Sequence, residues 1–246
     1  VYKRQEYAFA WSQGKWETFT YLIPKMYGGS SSEGLTEDSE TYKAVYKATR
    51  SQKKSRDFVK ALPVYWGPQS STGGPHYASV VIIFFFVLGC FILKPELRYW
   101  LISGIFLTLM IGWGSNFESF NYFLFDYVPG FNKFRAVAMA LTLTAMLLIL
   151  MGALSLGALI EEGAIEKYSK QIKYALITTA GLIVLVWIGT YTMDFIANSD
   201  AGFKAQTNQQ ILDALRQDRM SLLTQGAFRS LLFLGLIALI AVSYTH

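Results

Sequence analysis

Five apolar runs dominate the chain, at about residues 77–93, 97–114, 136–160, 172–197 and from 227 to the C-terminus, and nearly every charge lies between them. A bilayer core takes roughly 20 apolar residues wound as a helix. Lipid offers backbone amides no partners, so a stretch such as Val80-Val81-Ile82-Ile83-Phe84-Phe85-Phe86 has to satisfy its own hydrogen bonds as helix. The pattern predicts an all-α polytopic membrane protein with about five transmembrane helices, extracytoplasmic loops and short interfacial helices. Residues 1–76 form a loop segment and residues 77–246 the helical bundle.

The polar segments carry weaker periodicities. Trp16, Phe19 and Ile23 recur at helical spacing, which predicts a short interfacial helix over 14–23 ended by Pro24. Two further short helices are expected over 42–50 and 56–62. Between the fourth and fifth runs, Ile211, Leu212, Leu215 and Leu222 mark the apolar face of a separate amphipathic helix within 198–226. Alternation of the spans puts 1–76, 115–135 and 198–226 on one side, opposite the short loops 94–96 and 161–171. Lys94, Arg98, Lys167, Lys170 and Lys173 favour a cytoplasmic position for the short loops. Lys133, Arg135, Lys204, Arg216, Arg219 and Arg229 oppose that count, but long loops translocate largely regardless of charge. The expected location is the cytoplasmic membrane of a bacterium, with the long loops outside.

Composition narrows the partners. The chain is 16% charged, below the roughly 25% usual for soluble domains. Its net charge of +5 is scattered among acids, so no nucleic-acid partner is expected, and membrane lipids with anionic headgroups are the natural counter-charge. Cys90 is the single cysteine and lies inside the first run. There is no Cys/His cluster of zinc spacing, no phosphate-loop ending after Gly28-Gly29 and no Ser–His–Asp set. No cofactor is evident, and a divalent metal is left open. The polar start without a methionine and the stop inside the fifth run suggest an internal fragment with foreign tails, which discounts His246 and leaves His76 as the histidine of interest.

Ionisable residues gather at the run ends on the long-loop side: His76, Glu118, Arg135, Asp194 and Arg229. Trp187, Thr190, Tyr191 and Asp194 fall at i, i+3, i+4 and i+7, a stripe that turns into the bundle or a wet cavity, or else simply marks an interface. Pro129-Gly130 forces a turn that brings Lys133 and Arg135 to the start of the third span. Cations there oppose the helix macrodipole. Either they hold an anionic ligand, for which Arg offers bidentate phosphate contact, or they snorkel to lipid phosphates.

The run Pro129-Gly130-Phe131-Asn132-Lys133-Phe134-Arg135 resembles the YfhO-type bacterial membrane proteins. Further points of likeness are Trp11-Ser12-Gln13-Gly14-Lys15-Trp16-Glu17-Thr18, Leu22-Ile23-Pro24 with Gly28-Gly29, and Tyr65-Trp66-Gly67 with Gly74-Pro75. That resemblance implies kinship with GT-C glycosyltransferases, which take sugar from a polyprenyl-phosphate donor outside the membrane. It implies a polyprenyl-phosphate-sugar lipid and an envelope glycan or lipid acceptor as partners. Lys133 and Arg135 would then hold the donor phosphate, while His76, Trp66 and Asp194 line the cleft. The family's catalytic acid would fall upstream of residue 1. Within the chain Glu17 is the acid to consider, as general base or acceptor-positioning group, or as one half of a solvated pair with Lys15. A transporter or flippase, and a non-catalytic assembly protein, are the rival readings.

Overall fold

The apolar runs fold as helix, as lipid demands of them. The computed structural model describes residues 7–69, 71–74, 76–133, 136–197, 200 and 209–245. Among them lie α1 (Glu40–Thr49), α2 (Gln52–Ala61), α3 (Val80–Ile92), α4 (Pro95–Gly112) and α5 (Glu118–Tyr127). There follow α6 (Ala140–Ile160), α7 (Ala164–Lys167), α8 (Ser169–Gly189) and α9 (Gln209–Thr245). Ser39 and Ser51 cap α1 and α2, their side chains accepting from the Tyr42 and Lys54 amides.

This is an all-α polytopic membrane protein. Fewer than five helices among the described residues qualify as spans by length and composition, however. Among the described residues three helices are long and apolar enough to cross a membrane, ending in α6, α8 and α9. A fourth counts only if α4 and the segment Gly114–Tyr127 are taken together, and they are bent by 113°. The first run yields the 13-residue α3, about 20 Å long against a hydrocarbon core of about 30 Å. It is short because the chain ahead of it, through Tyr77 and Ala78, runs extended into the loop layer, where the Ala78 amide donates to Tyr21. Hydropathy cannot distinguish such a central core helix from a span.

α3 is the axis of the bundle. It packs against α6, α8 and α9, while α4 lies on the far side of α6. Phe84 and Leu88 are fully buried at that axis. Outward faces carry Leu143, Met146 and Ile149 on α6, Ile177 and Leu185 on α8, and Leu232, Leu236 and Leu239 on α9, all exposed. A belt of this kind is costly in water and neutral in hydrocarbon.

The sharp bend after α4 has an identifiable cause. Gly114 sits at φ +47°, and a Cβ there would come within 2.0 Å of Ser12 Oγ. The carbonyls freed by the break find partners from elsewhere. Gly112 accepts from the Gln13 amide at 2.9 Å, and Met110 accepts from Asn121 Nδ2 at 2.8 Å. Gln13 of the N-terminal segment and Asn121 of α5 thus replace the missing turn of helix.

α9 corrects the expectation of two helices over 198–246. From Gln209 to Thr245 it is one helix of 37 residues, about 55 Å long. Nothing between the amphipathic stretch and the fifth run breaks the helix, so its first half stands out beyond any bilayer. There it meets the loop layer. Asp218 accepts from the Glu40 and Thr41 amides, each at 2.8 Å, and from Thr41 Oγ1 at 2.6 Å, capping α1 from a distant part of the chain. Arg219, 1% exposed, grips Asp200 with Nη1–Oδ2 at 2.6 Å and Nη2–Oδ1 at 3.2 Å, and donates to the Phe195 and Pro63 carbonyls.

These ties gather residues 7–69, 71–74, 76–79, 113–133, 136–139, 190–197 and 200 at one end of the bundle, opposite the turn after α3 and the α6–α8 connection. The helical alternation read from the sequence has the same arrangement. The loop segment is not a separate body, though. Tyr21, Ile23, Met26 and Trp66 belong to the same buried cluster as Phe84, Ile183 and Leu223.

Candidate functional site: a rim cleft backed by a buried carboxylate

Where the loop layer meets the start of α6, a cleft of about 750 Å³ opens. Tyr7 and Trp11 form one wall and Gln69, Ser71, Thr72, Gly73 and His76 another; Ala136, Ala138, Met139 and Thr142 supply the floor from the beginning of the third span. Tyr7 and Trp11 meet edge to face, centroids 5.8 Å apart. The volume lies within the range of small-molecule sites. Its lining is aromatic and hydroxyl-rich on one side and apolar towards the membrane.

Behind the wall lies Glu17. The expected interfacial helix over 14–23 is a 3-10 helix, Trp16–Tyr21, and it is largely sunk into the protein: Glu17, Thr20 and Tyr21 are buried. The solvated Glu17–Lys15 pair does not form. Lys15 Nζ instead sits over the Phe117 ring, 5.3 Å from its centroid. Glu17, 3% exposed, accepts from the Gly14 amide at 3.0 Å on one oxygen. On the other it accepts from the Tyr65 hydroxyl at 3.0 Å and from Gln69 Nε2 at 3.3 Å. Burial pushes the Glu17 carboxyl above its ordinary range, against the three donors that pull it down. Burial also raises the Tyr65 phenol, with the Glu17 charge adding to it, so the hydroxyl stays a donor. Gly67 makes room for this triad: a Cβ there would lie 2.2 Å from the Tyr65 hydroxyl oxygen.

The carboxylate is buried among three donors, and Glu17 is not among the residues lining the cleft. Its direct role as general base is therefore not supported by the geometry. It reaches the cleft through Gln69.

The other sequence candidates scatter. His76 lines the cleft, half-buried, stacked on Tyr21 with centroids 6.1 Å apart. Burial holds its imidazole below the ordinary 6.5. Trp66 is buried, with Tyr27 stacked 4.2 Å away and Phe195 tilted at 4.9 Å. Those neighbours use the ring for packing, so it is no sugar platform. Asp194 is exposed and lies off the helix, because α8 ends at Gly189 and only a 3-10 turn, Thr190–Thr192, follows. The Thr190 hydroxyl turns back to the Trp187 carbonyl at 2.6 Å, and Tyr191 is 70% exposed. The single polar stripe expected on the fourth run does not exist. Lys133 is exposed in the turn Phe131–Lys133, ahead of Val137–Met139 and α6, so it does not sit at the helix N-terminus. Arg135 lies outside the described residues; its chain neighbour Ala136 lines the cleft.

No family model, curated protein or solved structure matches this chain. Among the described residues no three His, Cys, Asp or Glu side chains come together as a metal site would require.

No pattern in the sequence marks Tyr7, Gln69, Thr72 or Thr142 as site residues, and Trp11 enters only with the stretch Trp11–Thr18. Single polar, uncharged residues carry no periodic signal of their own. Nor do Asp218 and Arg219 betray their partners, which are 177 and 19 positions away for Thr41 and Asp200.

Proposed function

We propose that the cleft binds the headgroup of a lipid-linked sugar at the membrane rim, and that the protein transfers that sugar from a polyprenyl-phosphate donor to an envelope acceptor. One observation carries the reading: aromatic and hydroxyl-bearing walls meet an apolar floor where the third span begins. A ligand with a polar, stackable head and a hydrocarbon tail is the chemistry that such a boundary accommodates. Trp11 and Tyr7 offer ring faces to a sugar, and Thr72, Thr142 and Gln69 offer hydrogen bonds. Arg135, next in the chain to Ala136, would supply the cation for the phosphate. The islands that resemble the YfhO-type proteins support the same reading, since Gly14, Glu17 and Tyr65 meet in one network. Extracytoplasmic placement of the long loops belongs to this proposal.

One observation favours binding without transfer. No carboxylate lines the cleft among the described residues, so a non-catalytic assembly protein that holds the same lipid is the second reading.

The test uses the whole chain in nanodiscs with a radiolabelled polyprenyl-phosphate hexose. Binding that weakens at least tenfold in Trp11→Ala and Arg135→Ala supports the site. Release or transfer of label separates the enzyme from the scaffold. Equal affinity for an uncharged polyprenyl hexoside, together with an unaffected Arg135→Ala, overturns the phosphate-dependent reading.

A further inference from the structure

Building on the lipid-linked-sugar reading, we infer that Glu17 is a positioning residue that sets the specificity of the cleft: it fixes the Gln69 side chain so that an amide carbonyl, and not an amide N–H, faces the ligand. Three donors converge on Glu17, from Gly14, Tyr65 and Gln69. Gln69 presents Nε2 to the same carboxylate oxygen that accepts from the Tyr65 hydroxyl, at 3.3 Å. The Tyr65 hydroxyl, in turn, accepts from the Gln69 backbone amide at 3.2 Å. Both ends of Gln69 are thereby held by the same pair of side chains. With one Nε2 hydrogen drawn to Glu17 behind the wall, Oε1 is the acceptor that the amide has left for the cleft that Gln69 lines. A carbonyl there accepts from a ligand hydroxyl and repels a ligand group that can only accept.

The consequence is a preference for a sugar carrying a free hydroxyl at the position facing Gln69. A site built to hydrogen-bond a hydroxyl discriminates strongly against an analogue without the donor, because its own polar group is then left unpaired.

The geometry of Glu17→Gln sharpens the test. An amide at position 17 that keeps its oxygen towards Tyr65 and Gln69 turns its NH2 onto the Gly14 N–H. The opposite orientation keeps the Gly14 bond and donates towards Gln69, which then reverses and shows Nε2 to the cleft. Glu17→Gln should therefore invert the hydrogen-bonding sense of the wall without emptying it.

Affinities are measured in nanodiscs for a polyprenyl-phosphate hexose and for a panel in which fluorine replaces each hydroxyl in turn. Fluorine keeps the size but cannot donate. The wild type should discriminate about tenfold or more at one position of the panel. Glu17→Gln should bring that ratio to within threefold of unity, and Gln69→Met, a change on the half-buried wall, should do the same. Both variants should match the wild type in size-exclusion elution and in far-UV circular dichroism, a control that a loss of structure would fail. If Glu17→Gln loses that control, Gln69→Met alone decides. An unchanged ratio in Gln69→Met, or in a folded Glu17→Gln, overturns the inference while leaving the sugar site intact. Binding of polyprenyl phosphate with no contribution from any hexose overturns the sugar reading, and this inference with it.

Discussion

Arg219→Met should open the loop layer from α9. The guanidinium is 1% exposed and makes two hydrogen bonds to Asp200, one to the Phe195 carbonyl and one to the Pro63 carbonyl. Methionine fills much of the volume and removes the charge. Asp200, its side chain 5% exposed, is then left with the Ala197 amide, which donates to it at 2.7 Å. Stranding one partner of a buried pair costs about 3–5 kcal/mol. That corresponds to a rise in local opening of roughly a hundred- to several-thousand-fold. The second substitution decides the cause. Arg219→Met with Asp200→Leu has no stranded charge, and replacing both ions by apolar groups is often neutral or better. The double variant should recover at least about 2 kcal/mol of the loss. Native-state hydrogen exchange in nanodiscs reads this at the Thr41 and Ala197 amides, whose acceptors are Asp218 and Asp200. Exchange within threefold of wild type in Arg219→Met, or a double variant worse than the sum of the singles, refutes the reasoning.

The remaining predictions are independent of one another. Asp218→Asn turns an NH2 onto a backbone N–H of Glu40 or Thr41 whichever way it faces, so α1 should loosen by about 1–3 kcal/mol, seen as faster limited proteolysis within Glu40–Thr49. Gly67→Ala drives a Cβ into the Tyr65 hydroxyl, with an expected loss of about 1–3 kcal/mol in a thermal melt in detergent; unaltered melting would show that the triad is not tightly packed. Because the folded carboxyl of Glu17 lies above the ordinary 4.5, the folded state binds the extra proton. Its contribution to stability is complete below 4.5 and is lost as pH rises through the folded value, and Glu17→Gln should remove that falling limb from a melting-temperature profile. His76 acts with the opposite sign: its folded value lies below 6.5, so its contribution is present above 6.5 and fades as pH falls through the lower value. Cysteines introduced at Thr72 and Lys133 should label with an impermeant reagent from one face of the membrane, and one at Glu162 from the other.

The sequence by itself settled the class of protein. It follows from one strong constraint: unpaired backbone in hydrocarbon is prohibitive, so long apolar runs become helices. The helices expected over 42–50 and 56–62 were also legible, because local spacing is a property of a few neighbouring residues, but they start earlier, at Glu40 and Gln52, where Ser39 and Ser51 cap them. Tertiary structure decided the rest. Hydropathy sees that Val80–Ile92 is apolar but not that neighbouring helices bury it as a short axis. It sees Glu17 beside Lys15 and suggests a solvated pair, whereas the Tyr65 and Gln69 side chains that claim the carboxylate come from 48 and 52 positions away. Arg219 reads as one more loop cation until Asp200, Phe195 and Pro63 close around it. Apolar periodicity is a sum over many residues and survives in one dimension. A buried hydrogen-bond partner is a single meeting of distant positions, and only the folded chain determines which of them meet.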